Sequence, residues 1–190
     1  MADTDLDLLF LYDGDMDWAA RSIGRPDADL AIAVKGGVIG LKNLFDRFLS
    51  EGRTFKRVMF ETEGGAGAIF FGEEKGNSQI DSSVLSKTFV GYQALFPNPA
   101  RMYFSGCNVA DKEEGWRFLE TAGRVFFRRG GGVTFGWTSK GFAVGSNLIG
   151  VLSGPVFMLA NAGKVWHPWG DARYVWTLAG GITMQRWVGS

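Results

Sequence analysis

Residues 101–139 read RMYFSGCNVADKEEGWRFLETAGRVFFRRGGGVTFGWTS, and this stretch decides the fold. Met102–Phe104 is a short apolar run of strand length. A glycine-bearing turn follows, Ser105-Gly106-Cys107-Asn108-Val109-Ala110. From Lys112 to Arg128 the residues Leu119, Ala122, Val125 and Phe126 share one helical face. Glu113 and Glu114 stand in the first turn and Arg128-Arg129 in the last, a charge order that complements the helix dipole at both ends. Gly130-Gly131-Gly132 closes the helix, and Val133–Trp137 is a second apolar run. Strand, helix and strand alternate here at the spacing of a parallel sheet covered by helices.

Upstream, Leu8–Tyr12 and Arg57–Phe60 are similar runs, nearly continuous rather than alternating, as suits strands buried on both faces. Between them, Leu41, Leu44, Phe45 and Phe48 follow i, i+3, i+4, i+7 spacing and predict a helix over Val38–Leu49. Downstream, Tyr174–Ala179 and Ile182–Trp187 flank Gly180-Gly181 and predict a β-hairpin with a two-residue turn, outside the parallel portion. The expected fold is therefore a single α/β domain over residues 1–190. It comprises a core (1–140) in three layers around a mainly parallel sheet, then an apolar, Trp-rich C-terminal segment with the hairpin (141–190).

The chain has 190 residues, with 20 basic and 20 acidic side chains and no basic cluster, so no nucleic-acid partner is expected. One cysteine, Cys107, excludes an intramolecular disulfide and any multi-thiolate metal site, and no cofactor or metal is implied. The opening MADTDLDLLF is acidic and lacks a secretory pattern, which makes the expected location cytoplasmic. No charged residue lies between Lys140 and Lys164, a length that could span a bilayer. That stretch also carries Ser146, Asn147, Ser153, Pro155 and Asn161. A buried or interface-forming segment is the better reading, and membrane association is not expected.

Two glycine-bearing loops follow expected strands: Thr62–Ile69 after the strand ending at Phe60, and Ser105–Ala110 after the one ending at Phe104. Loops at the C-terminal ends of parallel strands converge on one edge of the sheet, where ligands gather. Cys107 lies just before a helix, whose N-terminus lowers a thiol pKa. By position alone, a small core residue is the better reading of a lone cysteine.

The run from Arg101 to Ser139 resembles the segment around the nucleophile in bacterial caspase-like domains, of the superfamily of caspases, metacaspases and CHAT-type peptidases. The likeness is greatest to caspase-like domains of large bacterial surface proteins, in which a strand ends in Gly-Cys-Asx-Val-Ala. The stretch ETEGGAGAIFFG (61–72) resembles the companion loop, a small residue and then His-Gly leading into a short hairpin. The likeness covers about residues 55–140. It implies that Cys107 is the nucleophile and that Gly64 and Cys107 supply backbone N–H groups to an oxyanion hole. Glu63 falls on the family's histidine, and there the chain departs from the pattern.

A peptidase of this type needs a group that supports the thiolate and then protonates the leaving amine. Imidazole, with a pKa of about 6.5, does both. A carboxylate at about 4.3 and a thiol at about 8.5 are mismatched by roughly 4 units, on the order of 6 kcal/mol for direct proton transfer. A negative Glu63 beside Cys107 would also oppose the thiolate. The expectation is a cysteine-peptidase homologue with an impaired dyad, acting as a binding or assembly module toward a protein or peptide, or as a homo-oligomer paired through its hairpin edge.

The alternative is an active cysteine hydrolase in which His167, the only histidine, serves as base. Its setting, Val165-Trp166-His167-Pro168-Trp169, fits a rigid aromatic corner at least as well. Asp13, Asp15 and Asp17 resemble the opening of a calcium loop but lack the remaining ligands, and a strand-to-helix turn explains them better. Asp111, Glu113 and Glu114 offer acids to a basic substrate group, with first-turn helix acids the preferred reading.

Overall fold

Two strands, β1 (Asp5–Asp13) and β2 (Leu30–Val34), precede helix α1 (Gly37–Ser50) and strand β3 (Thr54–Glu61). Three short strands follow, β4 (Glu63–Gly65), β5 (Ala68–Phe70) and β6 (Gln79–Asp81), then α2 (Ser82–Thr88) and a 3₁₀ turn at Tyr92–Leu95. Next come β7 (Ala100–Phe104), α3 (Lys112–Phe126) and β8 (Gly132–Trp137). The chain continues through β9 (Phe142–Val144), β10 (Val156–Leu159), β11 (Gly163–Trp166), β12 (Ala172–Thr177) and β13 (Thr183–Val188). This computed structural model describes residues 5–14, 28–72, 78–97, 99–138, 142–144, 156–159, 163–166 and 172–188.

Seven strands form one sheet in the order β13-β12-β8-β7-β3-β1-β2. From β2 to β8 every neighbouring pair is parallel, and β12 joins β8 antiparallel with β13 beyond it. Strands β4, β5 and β6 make a small antiparallel sheet, as do β10, β11 and β9. The α/β class, the mainly parallel sheet and the C-terminal hairpin are what the sequence leads one to expect. All four apolar runs lie inside observed strands, and both periodic stretches form helices, the second ending at Phe126 rather than Arg128.

The period-two alternation of the strands separates two apolar clusters. Leu9, Leu11, Val58, Phe60 and Phe104 point to one face, where the three described helices pack. Leu8, Phe10, Tyr12, Met59, Phe135 and Trp137 point to the other and are also buried. Burial of both faces accounts for the near-continuous hydrophobicity of these strands. Helix α1 buries Leu41, Phe45 and Phe48. The Phe45 ring meets Phe89, Tyr92, Phe96 and Phe126 edge-on with centroids 5.5 to 6.1 Å apart, tying α1 to α3 and to the segment between α2 and β7. Each such contact contributes about 0.5–1.5 kcal/mol beyond the area it buries.

One expectation needs correction. The hairpin strands stop at Thr177 and resume at Thr183. The Leu178 N–H donates to the Ile182 carbonyl (2.8 Å), so three residues, not two, lie inside the last closing bond. Gly180 and Gly181 both adopt positive φ there (94° and 85°), which explains the glycine pair without a two-residue turn. In the charge-free stretch, the described portions are strands β9 and β10, with β11 following, and no helix among the described residues is long and apolar enough to cross a membrane.

Candidate functional site

Strands β3 and β7 are parallel neighbours, with Phe60 opposite Phe104, so the loops after them leave the same edge of the sheet. The Ser105 N–H donates to the Phe60 carbonyl at 2.9 Å and carries the pairing one residue past the strand. Glu63 opens β4, which folds back onto β5 in register Gly64 to Ile69. The Thr62 hydroxyl donates to the Glu63 carbonyl (2.8 Å) and fixes the turn between β3 and β4.

The two loops meet backbone to backbone. A Cβ on Gly64 would stand 2.6 Å from the Gly106 carbonyl carbon and 2.7 Å from the Cys107 oxygen. One on Gly106 would stand 2.9 Å from the Gly64 Cα and 3.1 Å from the Glu63 oxygen. Only glycine fits either position without moving the other loop. A second tie runs from the Gly67 N–H to the Val109 carbonyl at 3.0 Å. The Cys107 loop is anchored from behind as well, by the Ala110 N–H on the Trp137 carbonyl (2.8 Å) and the Asp111 N–H on the Asn108 carbonyl (2.9 Å). Asn108, at φ 58°, makes the left-handed turn that this route demands, a conformation asparagine tolerates well.

The structure thus brings Glu63, Gly64 and Cys107 into one place. Glu63 is exposed and Cys107 half-buried, so solvent reaches both. Helix α3 begins at Lys112, capped by the Asp111 carboxylate, so Cys107 stands just before the helix, as the sequence leads one to expect. Glu113 and Glu114 are exposed first-turn acids. Asp13 is buried at the end of β1 and accepts the Gly72 N–H at 2.9 Å. Asp15, Asp17 and His167 lie outside the described residues, and among the described residues no cluster of His, Cys, Asp or Glu is arranged to hold a metal ion.

Glu61 escaped the reading from sequence. It is the last residue of β3, on the same face as Met59 and beside Ser105, and it is buried. Its Oε2 and the Ser105 Oγ have no partner of hydrogen-bonding geometry. Burial pushes the Glu61 carboxyl up to about 8, with the charge of Glu63 adding to the rise and the nearby Ser105 hydroxyl opposing it. At neutral pH the Glu61 carboxyl is therefore held mainly in its neutral form. The available signal was the period-two spacing from Met59 to Glu61, which puts both on one face of the strand.

Comparison with protein-family models, with curated proteins and with solved structures finds no match to this chain.

Proposed function

We propose that this chain is a caspase-like cysteine-peptidase homologue whose catalytic dyad is broken and whose role is to bind a protein or peptide partner. One observation carries the reading. Glu63-Gly64 and Gly106-Cys107 meet backbone to backbone at the ends of adjacent parallel strands, and the sequence carries a carboxylate at the position where the resemblance calls for an imidazole. Such a pair lacks a group that both accepts the thiol proton and protonates a leaving amine near neutrality. The glycines that let the loops touch remain, so the scaffold outlasts the chemistry in this reading.

The test restores the missing imidazole. Alkylation of Cys107 by iodoacetamide at pH 6 is compared in the parent and in Glu63→His, alongside turnover of a fluorogenic peptide library. We expect no turnover by the parent and alkylation of Glu63→His faster by about tenfold or more, because thiolate is the reactive form. Turnover by the parent that disappears in Cys107→Ala would overturn the reading.

A further inference from the structure

A second surface, on the opposite edge of the sheet from the hairpin, has the form of a peptide groove. Strand β2 is the outermost strand on that side among the described residues. A groove of about 470 Å³ runs between it and α1. Its strand wall is formed by the four consecutive residues 32–35. Successive side chains of a strand point to opposite faces, so four in a row line one groove only if it follows the strand's outer edge. The helix wall is Gly40, Asn43, Leu44 and Arg47, a single i, i+3, i+4, i+7 stripe. Both walls measure about 10 Å, enough for three or four extended residues.

Among the described residues no strand pairs with this outer edge. Strands left at a sheet edge are ordinarily blunted by charge, proline or a bulge. Here the strand is Leu-Ala-Ile-Ala-Val, half-exposed over its first four residues, and its first charge is Lys35, one residue past the end. Among the described residues, Lys35 and Arg47 are the charged ones that line the groove, and none of the others is an acid. Because α1 turns back along β2 through Gly36, which has positive φ, Lys35 stands at one end of the groove and Arg47 toward the other. Lys35 is exposed and forms no ion pair among the described residues, while Arg47 reaches Glu51 only at 3.7 Å.

We infer that the groove between β2 and α1 binds an extended peptide as an added strand, one with small or β-branched residues between two acidic ones. Main-chain hydrogen bonds to the free edge of β2 supply the affinity, Ile32 and Leu44 contact its middle, and the two cations select its ends. This surface shares no residue with the Cys107 site and does not depend on the peptidase reading.

The experiment is fluorescence anisotropy of the full chain with a fluorescein-labelled EVTVE peptide. Controls are its charge-reversed form KVTVK and EVTVE N-methylated at alternate backbone positions. Saturable binding of EVTVE below about 1 mM is expected. Either N-methylated form that blocks the paired edge should weaken it by about tenfold or more. Lys35→Glu/Arg47→Glu, at exposed positions that leave the core untouched, should exchange the preference to KVTVK. The inference is overturned by absence of saturation, by equal affinity for the two peptides, or by a preference that the double substitution leaves unchanged. A protein that sediments as a dimer, and as a monomer in the double variant, would assign the groove to a second copy and overturn it equally. Neither probe nor variant touches Cys107 or Glu63, so this outcome and that of the alkylation test are separable.

Discussion

Replacing Glu61 by glutamine removes a proton that the fold holds and the unfolded chain does not. The folded carboxyl titrates at about 8, against an ordinary value of 4.5. Between those pH values the native state carries one more proton than the unfolded state, so unfolding free energy falls as pH rises, by about 1.4 kcal/mol per pH unit. Stability linked to Glu61 is thus fully present below pH 4.5 and lost progressively up to pH 8, a total of about 5 kcal/mol. At pH 7 the loss is about 3 kcal/mol, a large part of the 5–15 kcal/mol that a typical domain possesses. Glutamine has the shape of the protonated acid and cannot ionise. Glu61→Gln should therefore match the parent near pH 4.5 and exceed it by about 3 kcal/mol at pH 7. Urea unfolding followed by tryptophan fluorescence at pH 5, 6, 7 and 8 measures the difference, and carboxylates common to both proteins cancel from it. A difference that stays flat across the series, or a parent that gains on the variant as pH rises, would refute the reasoning.

Gly106→Ala places a methyl group 2.9 Å from the Gly64 Cα and from a Val109 methyl, so the loops must separate. A destabilisation of about 1–3 kcal/mol is expected, read as a fall in Tm of about 2–4 °C for each kcal/mol. Phe45→Ala empties the centre of the aromatic cluster between α1 and α3 and should cost about 3–5 kcal/mol in the same urea titration, with the midpoint lowered.

The parallel core was legible because its strands are buried on both faces and its two long helices each present one apolar stripe. Both facts leave a mark that local reading detects. Strand β2 left a mark too, five apolar residues between Asp29 and Lys35, but a run of such small residues without a neighbouring helix period is easily passed over. Strands β4, β5 and β6 are three residues each, too short for any period, and exist because they pair with one another. Within the site, the two loops and Cys107 stand out because glycine-bearing turns after strands are conspicuous, while Glu63 and Gly64 are singled out by the resemblance. Glu61 is harder to choose, since beside Thr62 and Glu63 it reads as one more polar residue at a strand end, and only its spacing from Met59 marks it as belonging to a buried face.

The strand order has a consequence for how the protein comes into being. Starting from β1, the strands β3, β7, β8, β12 and β13 each join the same side, one after another, and only β2 goes to the other. A ribosome therefore delivers them in the order in which they are used. Each newly exposed flank is closed by the next strand to emerge, so no early piece need wait for the last residues before it can pair. Nascent chains of different lengths have different ends on that growing side. On the β2 side, every one of them from the third strand onward presents the same five residues.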